Sequence, residues 1–162
     1  QKAYDIAVEA MKLLREEGEA VRWYVLGEGE ERRALEKLIR QYGLEQDFLL
    51  LGARENPYPY YAQTDLYVHA TRYEGKSIAI QEAQTLGCTI LVSDCSGNRE
   101  QVTDGVDGRM CELSPEGICN GIRELLRDPE ACARYGEAAG KRNFQEPAQL
   151  DRLLALLKEE SR

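Results

Sequence analysis

The sequence predicts an α/β fold of Rossmann-like type, a parallel sheet covered by helices on both faces. Short β-rich runs alternate along the chain with helical stripes, the order that builds βαβ units. Runs such as Phe48-Leu49-Leu50-Leu51 and Ile90-Leu91-Val92 are continuously apolar, as strands buried on both faces are. Glycines punctuate the pattern, with Gly18, Gly43 and Gly87 ending helices and Gly27 closing a strand.

The elements follow in order. Ala3, Ala7, Ala10, Met11 and Leu14 recur at helical spacing and predict a helix over 3–16. Val21 to Gly27 reads as a strand. Leu35, Leu38, Ile39 and Tyr42 mark a helix over 30–42, and Phe48–Leu51 the next strand. Residues 57–63 form a short helix opened by Pro57, followed by the strand Leu66–Ala70. A helix from Ile78 to Leu86 leads into the strand Ile90–Ser93. A helical turn near Arg99–Val102 precedes the strand Arg109–Cys111, and helices near 115–127, 130–139 and 148–160 complete the chain. The sequence opens on a helix where a βαβ unit would place a strand, so the first strand is expected to be missing. In a 3-2-1-4-5-6 sheet that strand is central, and its loss is expected to be met by direct closure of the gap or by pairing with another chain.

The chain has 162 residues, enough for one domain (1–162) with a sizeable core. At 43% hydrophobic and 31% charged it has the balance of an ordered globular protein. No apolar run approaches the roughly 18 residues of a membrane span, and the N-terminus has no signal-peptide pattern. The net charge of −8 argues against sequence-independent nucleic-acid binding, which needs a basic footprint. Five cysteines without a C-x-x-C fit reduced thiols of a cytoplasmic protein, and with one histidine they supply no metal site.

Chemistry is expected in the loops beyond the carboxyl ends of the strands. Gly27-Glu28-Gly29 sits between a strand and a helix, but Arg32 stands where a dinucleotide fingerprint needs its third glycine. It reads as a tight turn or as a phosphate-binding one. Glu74-Gly75-Lys76-Ser77 also joins a strand to a helix, with Ser77 as N-cap. Gly75 permits close backbone approach, the helix-start N–H groups favour an anion, and Lys76 adds positive charge, so a diphosphate fits. Glu82 falls toward the packed face of that helix. It reads either as a partly exposed carboxylate favoured by the helix dipole or as an acceptor for two sugar hydroxyls. His69 ends a strand in a packing role or on the pocket wall. Pro57-Tyr58-Pro59-Tyr60-Tyr61 is a recognition loop or a staple.

At these residues the sequence resembles a known family. EGKSIAIQEA (74–83) is similar to the E-x7-E signature of retaining glycosyltransferases of family 4 and the related group 1 transferases. VLGEGEERRALEKL (25–38), FLLLG (48–52), TDLYVHATRYEG (64–75), LGCTILVSDCSGNREQV (86–102) and DGVDGRM (104–110) resemble the family's flanking segments in order and spacing. Lys76 and Ser77 replace the Phe and Gly of the common EGFG loop, and Ala70 and Thr71 stand at its Pro and Ser positions.

The resemblance implies the C-terminal, nucleotide-sugar-binding half of a two-domain GT-B enzyme. Glu74 would then be the catalytic carboxylate near the donor sugar, and Glu82 would bind the nucleotide ribose. Gly75 and the N–H groups of Lys76, Ser77 and Ile78 would meet the diphosphate. Gly27 would line the donor site, Gly52, Ala53 and Arg54 would contact the base, and Lys2 would reach the phosphates. The implied donor is a nucleotide sugar, UDP-linked, used without metal or other cofactor in polysaccharide or glycoconjugate synthesis. The implied acceptor is a glycan or lipid-linked glycan bound through an N-terminal domain absent from this sequence. The segment 146–162 is expected to pack on that domain, and self-association through the truncated sheet or this helix is a further expectation. The full protein would be cytoplasmic, at most peripheral to the inner membrane face, and the fragment alone inactive. A GT-B epimerase or phosphorylase half and a non-catalytic flavodoxin-like regulatory module stand as rivals.

Overall fold

The computed structural model describes residues 1–142, and the helix expected over 148–160, with the whole segment 146–162, lies outside them. The predicted alternation is present: α1 (Tyr4–Glu16), β1 (Trp23–Leu26), α2 (Arg32–Gln41), β2 (Phe48–Gly52), α3 (Tyr58–Tyr61), β3 (Tyr67–His69), α4 (Ile78–Thr85), β4 (Ile90–Ser93), α5 (Ser96–Gln101), β5 (Arg109–Cys111), α6 (Pro115–Leu126) and α7 (Pro129–Gly140). α5 begins ahead of the turn expected at 99–102. α6 and α7 start as their sequences dictate, each with Pro at the helix entry. The Ser114 hydroxyl accepts from Gly117 N–H and the Asp128 carboxylate from Ala131 N–H.

All strand pairs are parallel, but they form two sheets rather than one: β1-β2, and β3-β4-β5. β1 and β3 are not hydrogen-bonded neighbours, so the gap expected at the centre is not closed directly. Packing holds the halves together instead. One core cluster joins Trp23, Val25 and Phe48 of the two-stranded sheet to Ala70 and Leu91 of the other half. It runs through Ala7, Val8, Met11 and Leu14 of α1 and Ile118, Ile122 and Leu125 of α6. Each helix thus buries an i, i+3/i+4 stripe against the other. A second cluster places Ile80 and Ala83 of α4 with Ile90, Val92, Val102 and Ala139. Leu91 therefore faces one layer while Ile90 and Val92 face the other, and β4 is buried on both sides as its unbroken apolar run requires. On β1, Trp23 stacks on Phe48 within the core while Tyr24 is 50% exposed.

Candidate functional site

Parallel strands deliver their following loops to one side. β1 ends at Gly27 and β2 at Gly52, both at positive φ (119° and 78°), where a side chain would be strained. Gly27 N–H donates to Gly52 O at 2.9 Å, so the two turns lie together. Arg32 bridges them, donating to Glu28 Oε1 at 3.1 Å and to Leu50 O at 3.1 Å. Ala53 and Arg54 are exposed between β2 and α3.

The loop after β3 carries Glu74, whose side chain is only 11% exposed. Lys2 Nζ lies 2.5 Å from Glu74 Oε2, and His69 Nε2 lies 3.0 Å from the same oxygen. The other ring nitrogen, His69 Nδ1, is 2.9 Å from the Tyr67 hydroxyl. Lys2 is brought here by backbone anchoring of its neighbour: Gln1 O accepts from Arg72 N–H at 2.9 Å and from the Thr71 hydroxyl at 3.2 Å. Ala3, at φ 43° and ψ 34°, then turns the chain into α1. Burial pushes the Glu74 carboxyl up, but hydrogen bonds from Lys2 and His69 outweigh it and hold the group below the usual carboxylate range. Burial is the largest effect on His69 and keeps its imidazole pKa below the ordinary value; the Glu74 hydrogen bond opposes this and the Lys2 charge reinforces it.

Gly75 and Lys76 are exposed at the loop tip, and Ser77 is the N-cap of α4, but its side chain makes no capping hydrogen bond. The carboxamide of Gln101 takes that place. Gln101 Oε1 accepts from Ser77 N–H at 2.5 Å and Gln101 Nε2 donates to Ser77 O at 2.8 Å. Gln84 Nε2 in turn donates to Gln101 O at 2.7 Å. The Ser77 N–H, which the resemblance implied would meet a diphosphate, is here turned inward and donates to Gln101 of α5. The physical reason is burial, since Ser77 is 6% exposed and its polar backbone must find a protein partner. The N–H groups of Lys76 and Ile78 remain at the helix start. α5 reaches the loop because residue 97 is glycine: a Cβ there would fall far inside contact distance of Glu74 O and Gly75 O.

Glu82, partly buried on α4, meets the aromatic run 57–61. Tyr58 Oη donates to its Oε1 at 3.3 Å and Tyr61 Oη to its Oε2 at 3.4 Å. Burial, then the Glu82 charge, pushes the Tyr61 hydroxyl well up. Gln101 is a site residue to which sequence reasoning gives no role, while for His69 and these tyrosines it leaves a packing and a pocket role open. The i, i+3 spacing of Tyr58 and Tyr61 was a visible signal that both share one helical face, but not of what that face meets. The structure thus places Lys2, His69 and Glu74 in one cluster, and Glu82 with Tyr58 and Tyr61 in another. The Gly52-Ala53-Arg54 loop enters the α3 segment that carries those tyrosines.

Elsewhere, a hollow of about 460 Å³ is lined by Asp94, Arg99, Asp104, Met110, Cys111, Glu112 and Leu113, none of them in the 74–82 segment. All five cysteines are free thiols. Among the described residues no group of three His, Cys, Asp or Glu side chains is arranged to hold a metal ion. Nor is any helix among them long and apolar enough to cross a membrane.

Parallel strands flanked by helices, with their loops gathered beyond the strand ends, make this an α/β protein of the doubly wound class. The chain belongs to the group 1 glycosyl transferases, whose family model matches residues 1–142. It is 32% identical over 120 residues to N-acetylgalactosamine-N,N'-diacetylbacillosaminyl-diphospho-undecaprenol 4-alpha-N-acetylgalactosaminyltransferase of Campylobacter jejuni, covering 73% of this chain and 33% of that protein. It is 28% identical over 137 residues to poly(glycerol-phosphate) alpha-glucosyltransferase of Bacillus subtilis, covering 83% of this chain and 20% of that one. The chain therefore spans a third or less of the length of these relatives. The fold matches Anabaena Alr3699/HepE in complex with UDP, with TM-score 0.81 at 22% identity, over 98% of this chain and 45% of that one. It also matches a glycosyltransferase of Rickettsia africae, with TM-score 0.84 at 19% identity, over 98% of this chain and 44% of that one. These matches establish a likeness of fold to glycosyltransferase structures.

Proposed function

We propose that the chain is the donor-binding part of a retaining glycosyltransferase, holding a UDP-linked sugar between Glu74, Glu82 and the start of α4. The observation that carries this is the state of the two carboxylates. Both hydrogen bonds to Glu74 converge on Oε2, so Oε1 is the oxygen that would accept a hydroxyl of the donor sugar. Among the described residues Glu82 is held by long phenolic bonds of 3.3 and 3.4 Å, which ribose hydroxyls would replace with shorter ones.

The diphosphate would meet the N–H groups of Lys76 and Ile78 at the α4 N-terminus, where the helix dipole favours negative charge. Lys2, its side chain 43% exposed, is the accessible cation of the cluster and would turn from Glu74 to the phosphates. As the glycosidic bond to the leaving diphosphate breaks, these donors would stabilise the charge that develops there, the role an oxyanion hole plays in acyl transfer. Glu74 would steady the electron-deficient sugar on its donor face, and no step calls for a metal ion. The acceptor, a glycan or lipid-linked glycan, would come from parts of the full protein beyond this chain. The name of the Campylobacter jejuni relative contains such a lipid-linked diphosphate, which supports that acceptor class.

Calorimetric titration with UDP tests the reading. Glu82→Ala is expected to weaken UDP binding about 10- to 100-fold, the value of a hydrogen bond to a charged group. No heat of binding at millimolar UDP, in the parent and the variant alike, would refute it.

A further inference from the structure

We infer that His69 is a positioning residue for Glu74: held as the Nε2–H tautomer by the carboxylate itself, with the Tyr67 hydroxyl donating to Nδ1, it grips Oε2, directs Oε1 to the donor sugar, and keeps the carboxylate in place when Lys2 moves to the phosphates. The inference rests on the proposed donor site and adds a second layer to it.

The tautomer follows from the partners. An ionised carboxylate only accepts hydrogen bonds, so the 3.0 Å contact between Nε2 and Glu74 Oε2 requires the proton on Nε2. Nδ1 of a neutral ring is then an acceptor, and the group among the described residues that reaches it is the Tyr67 hydroxyl at 2.9 Å, which must donate. Burial favours the neutral forms of both rings. Lys2, Glu74 and Tyr67 are the titratable groups that touch the imidazole, with Tyr61 packed edge-on against Tyr67 at 5.5 Å.

The two donors on Oε2 differ in kind. Lys2 ends a flexible four-carbon stem and is 43% exposed, whereas His69 is 6% exposed on a strand and tilted against Tyr67 at 6.0 Å between centroids. A diphosphate competes for the lysine and has no route to the buried imidazole. With Lys2 withdrawn, His69 is the remaining donor that fixes the carboxylate. An apolar residue at 69 would free Glu74 and leave the Tyr67 hydroxyl without its partner.

Since His69 is the sole histidine of the chain, its ring nitrogens are the only imidazole signals in an ¹⁵N-labelled sample. Long-range ¹H–¹⁵N correlation of the whole chain near neutral pH should show one tautomer protonated at Nε2, and Glu74→Ala, which removes the acceptor that fixes the proton there, should convert it to a mixture. A parent spectrum of averaged tautomers, or of Nδ1–H, overturns the lock. The second arm compares affinity for UDP with that for UDP-glucose and UDP-N-acetylglucosamine. His69→Leu should remove at least tenfold of the preference for the better UDP-sugar over UDP while UDP affinity holds. His69→Gln, which retains an N–H near the Nε2 position, should keep most of it. Equal losses for UDP and UDP-sugar would show a merely structural role, and an unchanged preference would also overturn the positioning role. A parent chain that binds neither ligand defeats the donor-site reading itself, and the imidazole spectrum then still decides whether Tyr67 and Glu74 fix the ring.

Discussion

Glu74 and His69 couple the site to proton concentration, and the sign can be worked out for each. His69 holds its pKa below the ordinary 6.5, so between that lowered value and 6.5 the unfolded chain binds more protons than the folded one. Stability therefore rises with pH across that window, is flat above it, and is lost as pH falls below 6.5. The Glu74 carboxyl lies below its ordinary 4.5, so its contribution is complete above 4.5 and is lost as pH drops through the lowered folded value. Both groups destabilise the fold on acidification, histidine first. Urea midpoints measured from pH 7.5 to 5 should fall, and His69→Gln should remove the upper part of the decline. An identical decline in the variant would show that other groups carry it. The exposed pair of Arg72 with Asp5, at 2.6 Å, contributes little to such a curve because water screens it.

At the scale of elements, α5 is the part that organises the anion-binding turn. It contributes Gly97, whose missing side chain lets the helix lie against the 74–75 backbone, and Gln101, whose carboxamide ties Ser77 to it by two hydrogen bonds. The obstructing atoms at residue 97 are main-chain carbonyl oxygens, which cannot rotate aside as a side chain does. Gly97→Ala should therefore displace the loop and weaken UDP binding by tenfold or more, read by calorimetry. Gly29→Ala is the steric control: its added Cβ meets nothing within 4 Å, and the thermal midpoint should be unchanged. Sequence pattern placed a helical turn near here from its local spacing. It assigned the cap of α4 to the Ser77 hydroxyl, the residue type that ordinarily does this. A partner 24 positions away took the role, and no local rule reports such a partner.

On the scale of the whole molecule, two sheets share one core. Leu14 of α1 is fully buried in the cluster that joins Trp23 of the small sheet to Leu91 of the larger one. Because that cluster spans the gap between β1 and β3, the halves should unfold together. Trp23, the sole tryptophan, reports the small sheet by fluorescence, while far-ultraviolet circular dichroism reports all helices. The two transitions in urea should coincide. Leu14→Ala should lower both by about 2–5 kcal/mol, the usual cost of a large-to-small core change. A fluorescence transition that precedes the other would mean that the small sheet melts alone.

By itself the sequence determined the order of strands and helices, the glycine that closes the strand at 27, and the placement of Glu74 on a loop and Glu82 on the helix that follows. These depend on side-chain periodicity and on local backbone conformations, which act over a few residues. Only the tertiary structure decided that the sheet is split, that Lys2 reaches a carboxylate 72 positions away, that Tyr58 and Tyr61 close on Glu82, and that Gln101 rather than a ligand holds the Ser77 N–H. Those outcomes are settled by which elements pack together and which buried polar groups must then find partners. That requirement is imposed by the assembled core and is not written in any single segment.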